Sequence, residues 1–449
     1  MSGVQVKKWS DGSPSEWKVD RLKDCMSAIV GGEWGDEPGS EVQGQDLVVL
    51  RVADFTNGTV KHDDLTIRRI KESKILQRQL TSSSLLIEKS GGGEKQWVGR
   101  VVYPGVLPFD AICSNFIAKL EVAPTQDAKF LNYLFSALYD SKVNWPHVRQ
   151  TTGIQNLALY HYLGVKVSLP SLPEQKRIAA YLDASCASID RAVQTKQKQL
   201  QTLDALRKSI IQRAVTEGLN PKAKMKIVPM DGVGHVPAHW RVKQLRYVCD
   251  ISYGITLQLE AGKTEGISIL TVQNLDIHGD WKFDQEFCID EDLVNEDDIL
   301  KHGDLLFNWR NGSARHVGKT AFFDLKGRYT HVSFLLRMRC GKDLSPFYLK
   351  SYLGALRMAG FFEGSKDKVN KTFNSTELNR LSVLLPPIDE QREIVTFVQQ
   401  KCREIEKAGK VIEDQITTLT AYRKSLIHES VTGKRRISDA DVAKVEAHV

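Results

Sequence analysis

Leu169-Pro170-Ser171-Leu172-Pro173-Glu174-Gln175-Lys176-Arg177-Ile178 returns 216 residues later as Leu385-Pro386-Pro387-Ile388-Asp389-Glu390-Gln391-Arg392-Glu393-Ile394. The match runs without a gap to Val215-Thr216 and Val431-Thr432, and 18 of the 49 aligned pairs from Leu169/Leu385 to Glu217/Gly433 are identical. A duplication of this length means two similar modules in one chain, so the repeat is read before any single motif. Pro173 or Asp389 opens a helical turn, with Glu174 or Glu390 near its positive end. Ile178, Leu182, Ile189, Val193, Leu200, Leu203, Ile210 and Ala214 then follow at helical spacing, as do Ile394, Val398, Ile405, Ile412, Ile416, Leu419 and Leu426. No proline interrupts either run. The pattern predicts two helices of about 44 residues, each ~65 Å long at about 1.5 Å per residue. Their narrow apolar seam predicts a coiled coil, with the stretches near Ile189 and Ile405 in contact.

The chain ahead of each helix repeats more faintly. Pro14-Ser15-Glu16-Trp17 matches Pro237-Ala238-His239-Trp240, and Val98-Gly99-Arg100 matches Val317-Gly318-Lys319. Short β-branched runs with Gly/Asn turns read as strands, joined in each copy by one helical stretch. The predicted fold is α+β: two similar α/β domains separated by two long helices that form an antiparallel coiled coil, a pseudo-two-fold internal repeat. The expected division is 1–168 and 237–384 for the domains, 169–218 and 385–433 for the helices, 219–236 for a linker and 434–449 for a charged, frayed tail. The domains diverge far more than the helices, which predicts two versions of one kind of target.

Composition narrows the class. The 449 residues are 41% hydrophobic and 26% charged, ordinary for a globular protein. No apolar run approaches the ~20 residues of a membrane span, and the first residues carry no apolar signal region; the expected location is the cytoplasm. Seven cysteines, none in C-x-x-C spacing, fit reduced thiols and neither a disulfide framework nor a zinc site. A net charge of +7 permits a polyanionic partner. Ser313 to Thr320 comes nearest to a phosphate-binding loop, but Ser313 stands where glycine is required. Gly91-Gly92-Gly93 lacks dinucleotide-loop spacing, and His62-Asp63-Asp64 reads as a solvated turn. The chain is expected to be no enzyme and to bind no metal.

Basic and amide-bearing loops are present instead. Arg68, Arg69 and Lys71 make one, with Lys95 beside the glycines; Arg149 and Gln150 make another. In the second copy Asn308, Arg310, Asn311 and Arg315 form a third, and Lys366, Lys368 and Lys371 a fourth. These residue types neutralise phosphates and read purine edges in a major groove. They are the candidate DNA-binding residues. A protein-binding scaffold and a stand-alone transcription regulator are the rival readings; a mobility-shift assay with and without a methyltransferase partner separates them.

A Leu-Pro-x-x-x-Glu-Gln-x-x-Ile start to a helix that ends in Arg-Lys-Ser-(Ile/Leu)-Ile, here Arg207 to Ile211 and Arg423 to Ile427, resembles the specificity subunits of type I restriction–modification systems. The resemblance covers nearly the whole chain, in the order domain, helix, domain, helix. It implies a reader of a bipartite double-stranded DNA target, one half-site per domain. It also implies two modification (adenine methyltransferase) subunits and ATP-driven restriction subunits as partners. S-adenosylmethionine, ATP and Mg are then expected on those partners, with no cofactor on this chain. The coiled-coil and partner interface is expected at Glu174, Gln175, Ile178, Ile189, Leu203 and Arg207, and at Glu390, Gln391, Ile394, Ile405, Leu419 and Arg423. If the helices pair antiparallel, the coil becomes a ruler for the unread base pairs between half-sites, at about 3.4 Å each.

Overall fold

The computed structural model describes residues 12–447 except 94–95, 152, 231–232, 257–264, 277–278, 285, 312, 314–315 and 364–370. The two repeated segments form helices of 46 residues, Leu172–Glu217, and 44 residues, Ile388–Val431. Each ends at a glycine in the left-handed region, Gly218 (φ 76°) and Gly433 (φ 73°), a conformation that exposes no Cβ to strain and closes the last turn. Both glycines also lie against a tryptophan: a Cβ would meet Trp240 at 3.1 Å or Trp17 at 3.0 Å.

The chain divides into two compact units, Met1–Gln197 with Asp414–Val449 and Lys198–Glu413. Each unit therefore takes the first half of one long helix and the second half of the other, or the reverse. In the first unit Arg423 pairs with Asp190 at 3.0 Å and Arg436 with Glu174 at 3.5 Å. In the second, Arg207 reaches Glu406 at 4.0 Å and Leu200 lies over Gly409. Partner numbers fall as the others rise, so the helices run antiparallel within both units. The half-buried positions recur at three and four residues: Val193, Lys196, Leu200, Leu203, Arg207 and Ile210 on one helix, Cys402, Ile405, Gly409, Ile412, Ile416 and Leu419 on the other. This is the two-position heptad seam of a coiled coil. Antiparallel pairing corrects one expectation. Ile189 packs in the first unit's core with Leu426 and Ile427, while Ile405 belongs to the second unit.

Each globule carries the same sheets. A four-stranded antiparallel sheet places Met26–Gly31, Ile117–Val122, Ser84–Glu88 and Val101–Val102 side by side, and its counterpart uses Cys249–Tyr253, Leu335–Cys340, Leu305–Asn308 and Thr320–Phe322. A three-stranded sheet has one parallel and one antiparallel neighbour around Gly44–Leu50, and again around Ile267–Leu270. A strand pair joins the start of each globule to the strand before its long helix, in matching register: Lys18 opposite Leu169, Arg241 opposite Leu385. The duplication thus extends through globules whose side chains have drifted. Helices Ala128–Asp140 and Pro346–Met358 bury Phe130, Leu134 and Phe135, or Tyr348, Leu349 and Tyr352, against these sheets.

Two segments depart from expectation. Most of the stretch 219–236, read as linker, forms a hairpin of Met225–Met230 with Val233–Pro237; its β-branched Ile227 and Val228 favour a strand, but the flanking lysines and glycines obscure that signal. The tail after Gly433 is ordered. Ile437 is buried, Arg177 donates to its carbonyl at 2.8 Å, and helix Asp439–Glu446 has Ser438 as its cap.

Candidate nucleic-acid interface

In each globule the strand at the centre of the four-stranded sheet runs on, past a buried polar residue, into a short strand that pairs with a late segment of the domain. In the first unit Ser84–Glu88 continues into Ser90–Gly91, which pairs with Ile154–Leu157, itself paired with Val148–Thr151. In the second, Leu305–Asn308 continues into Arg310–Asn311, which pairs with Lys371–Thr372. This late pairing joins two segments of each globule that are distant in sequence.

On the first unit Arg149 and Gln150 are exposed on their strand, opposite Asn156 and Gln155. Behind them Gln155 is buried, accepting from the Val98 amide at 3.1 Å and donating to the Gly93 carbonyl at 3.4 Å. Asn144, also buried, donates to the Val98 carbonyl at 2.8 Å. Such buried amides hold the loop backbone in one shape, because an unmade bond there costs about 1–3 kcal/mol. Trp145, 44% exposed, packs on Trp97 with ring centroids 3.7 Å apart, and the Lys142 ammonium lies 5.6 Å from the Trp145 ring. Glu88 is buried against Arg100 at 3.1 Å. Desolvation holds its carboxyl above the usual range even with that guanidinium beside it.

On the second unit the exposed Arg310 guanidinium lies 5.8 Å from the centroid of Phe334, itself exposed. Trp309 is tied to the Ser333 carbonyl at 2.7 Å and meets Tyr253 edge-on at 5.6 Å. The Asn311 side chain accepts from the Ser313 amide at 3.1 Å. Arginine over an aromatic ring and a half-buried amide beside it make a surface suited to a phosphate backbone and to base edges.

The remaining predicted residues fall elsewhere. Arg68 is ion-paired with Glu37 and stacked 5.0 Å from Trp34, and Arg69 pairs with Asp46 at 3.3 Å; both lie on the three-stranded sheet, with only Lys71 freely exposed at its end. Asn308 is fully buried and cannot reach a groove. Every residue of its strand, Leu305–Asn308, is buried, so both faces of that strand are covered. Lys95, Arg315, Lys366 and Lys368 lie outside the described residues, and Lys371 is described only through its backbone pairing with Asn311. Lys319, next to the near-miss phosphate motif, is buried and donates to the Leu275 carbonyl at 2.8 Å. Burial lowers its pKa. Sequence reasoning missed Trp145, Trp97, Phe334 and Tyr253. Trp309-Arg310, and Trp145 four residues before Arg149, were the available signals, an aromatic close to an exposed arginine.

At the helix starts the predicted partner residues serve their own unit. Gln175 is buried; it accepts from the Asp127 amide at 2.9 Å and donates to Gln126 and to the Pro170 carbonyl. Gln391 does the same with the Ser345 amide at 2.8 Å and the Asp343 and Pro386 carbonyls. Asp127 and Ser345 cap the globule helices, so each glutamine locks a long helix to a globule. Ile178 and Ile394 are buried in the two cores, Ile189 and Leu419 pack in the first, and Leu203 is half-buried in the seam.

Known proteins share this organisation. The family described as "Type I restriction modification DNA specificity domain" matches residues 14–202. The chain is 23% identical to the type I restriction enzyme StySPI specificity subunit of Salmonella potsdam, over 94% of this chain and 89% of that one. It is 22% identical to the EcoKI specificity subunit of Escherichia coli (strain K12), over 94% and 89%. In fold it matches a chain from a structure described as the basis of complex assembly and conformational transition of the type I R-M system. The TM-score is 0.71 at 16% identity, covering 93% of this chain and 98% of that one. The fold is that of a two-globule protein built on a duplicated long helix, and the resemblance read from the helix motifs, to the DNA specificity subunits of type I restriction–modification systems, is matched by the family model and by these relatives. Among the described residues no helix is long and apolar enough to cross a membrane.

Proposed function

We propose that this chain gives a type I restriction–modification complex its address. Each globule, 1–168 and 237–384, reads one half of a bipartite double-stranded DNA target in the cytoplasm. The helices at 169–218 and 385–433 engage two adenine methyltransferase subunits, which recruit the ATP-dependent restriction subunits. S-adenosylmethionine, ATP and Mg act on those partners, and this chain performs no catalysis. The observation that carries the reading is the pairing of similar frames with unlike surfaces: Arg149, Gln150 and Trp145 on one unit, Arg310, Asn311 and Phe334 on the other. Similar sheet frames keep the two readers alike, and unlike side chains let them read different bases.

Co-expressing the chain with its methyltransferase and mapping methylated adenines tests this. A split motif with a fixed gap is expected; a continuous motif, or none, refutes it. Arg310→Ala should weaken binding by about 1–3 kcal/mol if the guanidinium contacts a base edge, with relaxed preference in one half-site only.

A further inference from the structure

Seven cysteines are free thiols, and two of them, 91 residues apart in sequence, face each other across a ladder. Cys249 opens the strand Cys249–Tyr253 and lies opposite Cys340, which ends Leu335–Cys340. One step outside this rung, the Gly341 amide donates to the Val248 carbonyl at 2.8 Å. Hydrogen-bonded and non-hydrogen-bonded pairs alternate along an antiparallel ladder, so the cysteine rung is of the close, non-hydrogen-bonded kind. Its Cα separation is typically about 4.5 Å, inside the roughly 4.4–6.8 Å that a disulfide spans. The Cys249 thiol donates to the Asp250 carbonyl at 3.6 Å, and the neighbouring Cys340 side chain together with burial raises its pKa well above the ordinary thiol range. Cys249 is closed off, whereas Cys340 is half-exposed at the strand end. Among the described residues no other cysteine has a second thiol opposite it; Cys113 faces Leu50 and Cys288 faces Ser268. The first unit places Met26 opposite Val122 on the matching rung, a pair without redox chemistry.

We propose that Cys249 and Cys340 form a redox-active cross-strand dithiol, a modification site for disulfide oxidants of the glutathione class. The Cys340 thiol releases its proton to solvent and its thiolate attacks one sulfur of the oxidant. The oxidant's S–S bond breaks, and one small thiol leaves after taking up a proton. Cys249, deprotonated in turn, attacks the Cys340 sulfur and displaces the second small thiol. Two protein thiols are oxidised to one disulfide, and one small disulfide is reduced to two thiols. The bond ties together the strands that reach Tyr253 and start after Phe334. At about 3.3 Å per residue it sits some 13 Å along the strand from Tyr253. Closure therefore stiffens the second globule and leaves the Arg310 surface unchanged.

The test treats the full-length chain with oxidised glutathione, followed by peptide mapping without reductant and thermal unfolding. The expected result is loss of both thiols together, joined peptides carrying Cys249 and Cys340, reversal by dithiothreitol, and a rise of about 5–10 °C in the second unit's transition. Cys249→Ser should stop at a lasting glutathione adduct on Cys340. Cys249→Met with Cys340→Val, which installs the first unit's pair, should fold normally and lose the response. The proposal is overturned if the unsubstituted chain keeps an open adduct on Cys340. It also fails if both thiols stay free while Cys288 or Cys402 reacts, or if the double variant responds as the parent does.

Discussion

The start of each long helix is gripped in the same way but finished with different charges. In the second unit Glu390 accepts from the Trp240 indole at 3.0 Å and contacts His239 at 2.7 Å. In the first, Glu16 stands where His239 does, so two carboxylates, Glu16 and Glu174, would face each other. Arg436 from the tail bridges them at 2.7 and 3.5 Å, and the buried Trp17 indole nitrogen has no hydrogen-bond partner. A single substitution near a shared frame is thus compensated by a segment from the other end of the chain. The buried rungs diverge likewise: Cys113 opposite Leu50 becomes His331 opposite Leu270. What is common to both units is the buried glutamine that ties the long helix to its globule, Gln175 or Gln391; what differs is the charge and hydrogen bonding around the tryptophan beside it.

The strongest way to break this comparison is to attack the common grip. Gln391→Leu strands the Ser345 amide and two carbonyls, and should lower the second unit's stability by about 3 kcal/mol. Gln175→Leu should do the same to the first unit, both read from urea unfolding; a loss below about 1 kcal/mol would show that the frame does not depend on these amides.

The next effect belongs to one unit only. His331 is buried with both ring nitrogens unpartnered, and burial, reinforced by Arg337 and opposed by Asp304, lowers its pKa to about 4. The folded value lies below the unfolded one, so its contribution is complete above the ordinary histidine range near 6.5. That contribution is lost as pH falls from there towards 4, by about 2 kcal/mol at pH 5. Thermal unfolding of parent and His331→Leu between pH 7 and 5 should show the parent's second transition falling more steeply; parallel profiles would remove the distinction.

Smaller effects sharpen the comparison at the helix starts. Glu390→Gln should destabilise the second unit by about 1–2 kcal/mol through the indole and imidazole contacts. Arg436→Ala should shift the first unit by less than about 1 kcal/mol, since both partners are part-exposed. Differential scanning calorimetry resolving the two transitions checks both, and an equal shift in each unit would mean that the grips are not independent.

The duplicated helices were legible because helical periodicity is a local property and the repeat doubled its signal; their limits fall within a few residues of Pro173 and Gly218. The short strands were visible in outline through Asn57-Gly58 and the β-branched runs. The interface was legible only in part. Arg310 and Arg149 stood out as exposed basic residues, but nothing local distinguishes Arg310 from Arg68, which is held by Glu37 and Trp34, elements 31 and 34 residues away in sequence. Asn308 looked like its near neighbour Asn311, but Asn308 ends a central strand covered on both faces, whereas Asn311 lies beyond that sheet and is only half-buried.

The amino-acid order alone settled that there are two modules, that each ends in a long helix, and that their frames match, since these follow from spacing repeated along the chain. Tertiary structure decided which end of one helix meets which end of the other, which charges remain free, and which cysteines face each other. Those outcomes depend on pairings between residues distant in sequence, and neither periodicity nor composition encodes a partner's position.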